Sequence, residues 1–357
     1  MDFTFSKEHQ LLRRMVREFA EQEVAPIAEE IDREERVPFE VLEKAGKLGL
    51  MGIPFPQKYG GAGAGEIGYC ILMEEMNKVC GSTATIIGAH TGIGAMAIYL
   101  DGTEEQKQKY LVPSFVLNGS KTWITNGDIA DVISVLAVTD PALGARGGVT
   151  AFIVEKGFPG FKVGRKEEKL GIRGSSTAEL FFEDCRVPVE NALGMFGVGF
   201  LTFMKTLDVG RISLGAGCLG GAQKALEMSM DFAKSRYQFG APVAAKQAIQ
   251  WMIADMAMEI EALRSMIYRT AWMMDSGQTG REFSTMAAMC KVYGSEVLCR
   301  AADVAVQIHG GMGYMKKYPV ERMYRDARIT RIFEGTNEIQ REIIARNLFR
   351  KLGLRLR

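Results

Sequence analysis

Val132-Ile133-Ser134-Val135-Leu136-Ala137-Val138, Val149-Thr150-Ala151-Phe152-Ile153-Val154 and Ala178-Glu179-Leu180-Phe181-Phe182 are short runs rich in β-branched and aromatic residues, bounded by Gly, Asp and Pro. Runs of this kind read as strands. All three lie between about 114 and 190, and the chain on either side has a different texture. Before them, Leu11, Leu12, Met15, Val16 and Phe19 recur at helical spacing with charged residues opposite, and the periodicity returns over Val41 to Leu48, Tyr69 to Val79 and Ile86 to Tyr99. After them, long amphipathic patterns cover about 198–236, 246–276 and 282–308, with a shorter one from Thr336 to Leu352. The order helical, β, helical excludes a TIM barrel and a doubly wound sheet, in which strands and helices alternate. The expected fold is mainly α with a middle β-domain: an N-terminal helical domain over 1–113, a small β-sheet or barrel domain over 114–190, and a C-terminal four-helix bundle over 191–357.

Composition narrows the function classes. With 357 residues the chain can bury a large core, and 44 Lys plus Arg against 43 Asp plus Glu leave no cationic surplus for a polyanion, so nucleic acid is excluded as the expected partner. No apolar run is read as reaching the ~20 residues of a membrane helix, and Met1 to Glu8 lacks a basic-then-apolar leader, so a cytoplasmic protein without membrane insertion is expected. The six cysteines form no Cys-x-x-Cys pair and read as buried thiols. Three dispersed histidines, His9, His90 and His309, make no ligand cluster, and no metal is expected.

Several segments could carry chemistry. Gly63-Ala64-Gly65-Glu66-Ile67-Gly68 fits Gly-x-Gly-x-x-Gly but follows Pro54 to Gly61 and not a strand, so a loop ahead of a helix is the better account than a dinucleotide turn. Gln307-Ile308-His309-Gly310-Gly311-Met312-Gly313-Tyr314 ends a long helix, either as a plain C-cap or as bare backbone that meets a phosphate. Arg236-Tyr237-Gln238-Phe239-Gly240 offers a cation, an amide and an aromatic, suited to a pyrophosphate and a flat ring or simply to surface capping. In Phe333-Glu334-Gly335-Thr336, the apolar Ile332 and Phe333 beside Glu334 predict a desolvated carboxylate with a raised pKa, the property of a general base. Thr336 suits the N-cap of the last helix and Glu338 its first turn, so Glu334 falls just before a helix start.

Read together, these segments resemble the acyl-CoA dehydrogenase family over nearly the whole chain. The motifs stand in family order: Gly102-Thr103-Glu104-Glu105-Gln106-Lys107, Leu117-Asn118-Gly119-Ser120-Lys121-Thr122-Trp123-Ile124-Thr125-Asn126-Gly127, and Lys169-Leu170-Gly171-Ile172-Arg173-Gly174-Ser175-Ser176-Thr177. Arg236 to Gly240, Gln307 to Tyr314, Tyr324-Arg325-Asp326-Ala327 and Phe333 to Gln340 complete the series. The resemblance implies a homotetramer that binds FAD between subunits. Trp123 and Thr125 would flank the isoalloxazine, while Arg236, Gln238, Phe239, Gln247, Gln307, Gly310 and Gly311 would reach the pyrophosphate and adenosine of a neighbour's FAD, with Thr336 and Glu338 completing the cofactor site. Asp208-Val209-Gly210-Arg211 and Gly335 would lie on the substrate side.

The implied reaction is α,β-dehydrogenation of a short- or medium-chain acyl-CoA to the trans-2-enoyl-CoA. Glu334 takes the α-proton, flavin N5 receives the β-hydrogen as hydride, and electrons pass to an electron-transferring flavoprotein. Some relatives carry the base at the position of Gly210, which has no side chain, so the pattern is the straight-chain one. The chain also departs from the family. Between Tyr110-Leu111-Val112-Pro113 and Phe115-Val116-Leu117, relatives carry a segment with Leu-Thr-Glu-Pro and Gly-Ser-Asp signatures, and here the join is immediate. The β-domain is therefore expected to be truncated, with unpaired strand edges and weaker FAD retention. The alternative reading is a catalytically silent scaffold of the same fold.

Overall fold

The computed structural model describes residues 5–59, 61–103 and 114–354. The join after Pro113 and positions 104–107 of the Gly102 motif lie outside the described residues. Helices α1 (Lys7–Phe19), α2 (Ala28–Glu34), α3 (Phe39–Lys47), α4 (Gly65–Asn77), α5 (Gly81–Gly88) and α6 (Met96–Asp101) come first. Strands β1 (Ser114–Thr125), β2 (Val132–Val138), β3 (Val149–Glu155), β4 (Phe161–Lys166), β5 (Thr177–Pro188) and β6 (Ala192–Leu193) follow. The remainder is α7 (Gly199–Ser235), a small hairpin of β7 (Tyr237–Gln238) and β8 (Ala241–Pro242), α8 (Gln247–Asp275), α9 (Arg281–His309), α10 (Val320–Ala327) and α11 (Asn337–Lys351). Helical, β and helical regions thus succeed one another as the sequence texture indicates.

The two helical regions share one core. Val16, Tyr69, Leu72 and Met76 from the first pack with Ile212, Leu219, Leu263, Ile267, Ala287 and Ala302 from the second. Helices α7, α8 and α9 lie side by side, α11 runs along α9, and α4 inserts against α7 and α8. Small residues make the α4–α7 approach possible: a Cβ on Gly220 would stand 2.0 Å from the Glu74 carbonyl oxygen. Polar residues lock the same junction. The carboxylates of Glu74 and Glu75 are buried, and Arg13, Arg17, Lys78 and Arg264 surround them at 3.0–3.7 Å, joining α1, α4 and α8.

The stretch Gly81–Leu100 corrects one expectation. It is a 20-residue helix whose apolar 18-residue window has a mean hydropathy of 1.3, long and apolar enough to cross a membrane, where no such run is expected. Ile86, Ile87, Thr91, Met96 and Ala97 are buried within the protein, and the helix passes through a π-helical turn at Ala89–Ala95. Its apolarity serves the interior of this fold.

The β-region keeps its own core, with Leu117, Phe152, Val154, Leu180, Phe182 and Val187 inside. One sheet has the order β1-β5-β4 and the other β2-β3-β6, all pairs antiparallel. Among the described residues β1 and β2 each have a single partner strand, and Val116, Val132 and Val138 on them are exposed.

Gly220→Ala places a methyl against backbone that cannot yield, and its expected cost is about 1–3 kcal/mol. Gly46→Ala, in α3 with nothing within 4 Å of its added Cβ, is expected to be neutral or stabilising. Thermal melting of both variants checks the packing argument.

Candidate functional site

A cavity of ≈ 1000 Å³ opens where α4, the π-helical turn, the end of β1, α7 and the segment before α11 converge. Trp123, Thr125, Asn126, His90, Ile93, Ile172, Asp326, Phe333 and Glu334 are among its lining residues. Local backbone aims several of them. Strand β1 shifts register between Lys121 and Ile124, and Trp123 inside this bulge has φ +57°, which turns its indole out of the sheet and onto the cavity wall. Trp123 as a residue stays 74% exposed. Asn126, at φ +62°, accepts no bond at Oδ1 but donates Nδ2–H to the Ile86 carbonyl at 3.1 Å, tying the end of β1 to α5. Across the cavity the Ile172 amide donates to Asp326 Oδ1 at 2.5 Å, and burial lifts the Asp326 carboxyl to about 6.

Glu334 stands at φ +54°, between Phe333 and Gly335, just before Thr336 caps α11 by accepting the Ile339 N–H at 3.4 Å. Its Oε2 is enclosed and accepts no hydrogen bond. A Cβ on Gly210 would come within 2.8 Å of that oxygen and 3.0 Å of Ile93 Cδ1, so the carboxylate rests directly on α7. Burial raises its pKa to about 7, and the positive charges of Arg211 and Lys291 only partly oppose the shift. The desolvating wall is not quite the expected one, because Phe333 lines the cavity while Ile332 is exposed. Arg211 itself is buried and paired with Asp208 at 2.6 Å, and Val209 is buried in the helix packing.

The other sequence-predicted residues fall elsewhere. Arg236, Gln238, Phe239, Gln247, Gln307, Gly310 and Gly311 are exposed at the ends of α7, α8 and α9, and none lines the cavity. Phe239, at φ +53°, is 92% exposed. Gly310, at φ +58° and ψ −141°, takes a positive-φ conformation open to glycine and ends α9. Glu338 and Gly335 are exposed. The Gly63 to Gly68 segment is closed to an anion: the Glu66 and Ile67 amides at the start of α4 donate to the Asp275 carboxylate at 2.8 and 3.1 Å. Sequence reasoning gave no role to Asn126, Ile172 or Asp326, although all three stand inside quoted motifs. Their only signal there is the motif itself, since what places them is a positive φ or a bond across more than 40 residues.

The cavity fits a flat ring with polar edges. It has a broad aromatic wall at Trp123, apolar lining from Met73, Ile93, Leu214 and Phe333, and an unsatisfied acceptor at Asn126 Oδ1. The Ser175 and Ser176 hydroxyls, beside Asn126 through the Asn126 N–H to Ser176 carbonyl bond, are also buried without partners.

Comparison with known proteins agrees along the whole chain. Models described as acyl-CoA dehydrogenase N-terminal, middle and C-terminal domains match residues 6–115, 90–185 and 197–349. The short-chain specific acyl-CoA dehydrogenase of Clostridium acetobutylicum is 46% identical, covering 98% of this chain and 100% of its own length. That match runs over 383 aligned positions against 357 residues here, so the relative holds residues without a counterpart in this chain. The butyryl-CoA dehydrogenase structure from Megasphaera elsdenii superposes with a TM-score of 0.94 at 38% identity, covering 98% of this chain and 100% of that one. An acyl-CoA dehydrogenase of Bacillus anthracis complexed with FAD gives 0.89 at 37% identity, over 98% of this chain and 68% of that one.

A carboxyl that titrates near 4.5 when unfolded and about 7 when folded binds more protons in the folded state between those values. Its burial therefore costs stability progressively as pH rises through that window, and fully above it. In the ligand-free protein, Glu334→Gln is expected to leave Tm unchanged at pH 4.5 and to raise it at pH 8. Scanning calorimetry across that range checks the sign.

Proposed function

The chain belongs to the acyl-CoA dehydrogenase family of flavoprotein oxidoreductases acting on CH–CH bonds, and from that premise we propose that it oxidises a short- or medium-chain acyl-CoA to the trans-2-enoyl-CoA with Glu334 as the base. The observation that carries the reading is the Glu334 carboxylate, whose Oε2 is buried without a partner on the wall of a cavity large enough for a ring and an acyl chain. A thioester α-proton is weakly acidic, so its removal needs a desolvated base close to neutrality and a polarised carbonyl. Glu334 supplies the first. Its neighbours set the balance: burial strengthens it as a base, while Arg211 and Lys291 keep the ionised form accessible at neutral pH.

FAD supplies, when bound, the acceptor for the hydride that leaves the β-carbon. Trp123 and Thr125 would hold its ring, and Thr336 and Glu338 complete that side of the site. The exposed group of Arg236, Gln238, Phe239, Gln247, Gln307, Gly310 and Gly311 would hold the pyrophosphate and adenosine of FAD in a neighbouring copy, which is why a homotetramer belongs to the proposal. Its support is geometric: these residues gather on one exposed end of the C-terminal helices, away from their own chain's cavity. Asp208, Val209, Gly210, Arg211 and Gly335 would frame the thioester, and Met73, Ile93, Leu214 and Leu298 offer an apolar path for the acyl tail. Electrons would leave to an electron-transferring flavoprotein. Six thiols without a disulfide suit a cytoplasmic setting.

The edges of β1 and β2, unpaired among the described residues, favour a second reading, a scaffold of the same fold that does not retain flavin. One experiment separates the two. The FAD-reconstituted protein is expected to be yellow and to bleach on anaerobic addition of butyryl-CoA, while Glu334→Gln keeps the colour and binds the thioester but loses bleaching by several orders of magnitude. Wild-type protein that stays colourless after reconstitution supports the scaffold, and bleaching retained in Glu334→Gln ends the base assignment.

A further inference from the structure

Glu334 holds a backbone conformation that glutamate avoids. Its φ of +54° is followed by +88° at Gly335, and a left-handed non-glycine residue persists only where its surroundings over-determine it. Gln340 provides that restraint. From the first turn of α11 its side chain, 0% exposed, donates Nε2–H to the Glu334 carbonyl oxygen at 3.2 Å and to that of Gly335 at 3.5 Å. The amide presses closely on the turn, since a Cβ on Gly335 would lie 2.6 Å from Nε2. The helix that carries Gln340 is itself anchored at its start: Lys291 Nζ at 2.8 Å and Ser295 Oγ at 3.2 Å, both on α9, donate to Asn337 Oδ1.

We propose that Gln340 is a positioning residue for Glu334, its amide clamping two successive carbonyls so that the carboxylate is held against α7 at Gly210 and away from water. The proposal rests on Glu334 being the base. A donor to the peptide carbonyl, and not to the carboxylate, can fix the direction of the side chain without lowering its basicity, which a direct hydrogen bond would do. The charged and titratable groups facing Glu334 are Arg211 and Cys218 on α7, Lys291 on α9 and Tyr69 on α4. Burial pushes the Cys218 thiol up to about 12 and holds the Tyr69 phenol above its ordinary range, so both stay neutral across an assay from pH 5 to 9. Burial lowers Lys291 to about 8, so it titrates on the alkaline side of the window and not on the acid limb, and Arg211 and Lys291 keep their own partners, Asp208 and Asn337, when Gln340 is changed. With the clamp gone, the carboxylate gains water, and the acid limb of the pH profile moves down towards the ordinary carboxylate range.

The test uses the full-length, FAD-loaded enzyme and measures kcat and KM for butyryl-CoA from pH 5 to 9 in wild type, Gln340→Met and Gln340→Asn. Methionine keeps the volume without the donor, and asparagine keeps an amide too short to reach both carbonyls. Each variant is expected to lose about 10-fold or more in kcat with KM changed less than about 3-fold, and to show an acid limb at least about half a pH unit below wild type. If Gln340→Met does not fold, the Gln340→Asn profile decides. A lowered Tm with kcat and the acid limb at wild-type values means that Gln340 is merely structural and overturns the proposal. Glu334→Gln, assayed alongside, separates the two claims: if it stays active the base assignment falls, whereas an inactive Glu334→Gln with an unmoved Gln340 limb overturns only the clamp.

Discussion

A carboxylate enclosed by protein with no hydrogen bond to one of its oxygens is an expensive thing to build, and Glu334 is such a group. The surrounding fold provides what that placement needs. Helix α7 comes so close at Gly210 that an added Cβ would stand 2.8 Å from the carboxylate, the turn before α11 takes two left-handed residues in succession, and Thr336 starts the helix immediately afterwards. Arg211 and Lys291 bring positive charge near without forming an ion pair with Glu334, so its basicity is moderated and not abolished.

The helical framework explains why those parts stay in place. The N-terminal helices and the C-terminal helices are one packed body, joined through α4 and α7 by glycine contacts and through α1, α4 and α8 by the buried Glu74 and Glu75 clusters. Residues 93, 210 and 334, far apart in the chain, therefore meet on rigid elements. The β-region contributes one wall, through the bulge that presents Trp123 and the Asn126 bond to α5. Its attachment is lighter. Among the described residues β1 and β2 each have a single partner strand.

Much of this was legible in the sequence, for identifiable reasons. Helical periodicity marks α7, α8 and α9, while β2, β3 and β5 stand out as short β-branched and aromatic runs bounded by Gly, Asp and Pro, β3 being buried on both faces. Glu334 could be singled out because Thr336 is an evident cap and its neighbours are apolar. What pattern could not reveal was set by long-range contact. The π-helical turn at Ala89–Ala95, the bulge at Trp123 and the occupation of the α4 start by Asp275 each depend on residues distant in the chain. The Gly81–Leu100 stretch is ambiguous by composition, which interior helices and membrane helices share. Gln340 was visible only as a letter in a motif. Its burial and its reach back to the Glu334 carbonyl appear once α11 is folded.

The account turns on the protonation equilibrium of one side chain, and infrared spectroscopy reads it without any turnover. In the difference between wild type and Glu334→Gln, the carbonyl stretch of a protonated carboxyl group is followed as pH is raised from 4 to 9. A band that persists through pH 6 and disappears with a midpoint of about 7 is the predicted result. A midpoint near 4.5, the ordinary value for glutamate, would mean that the carboxylate is solvated, and the buried-base account would be wrong.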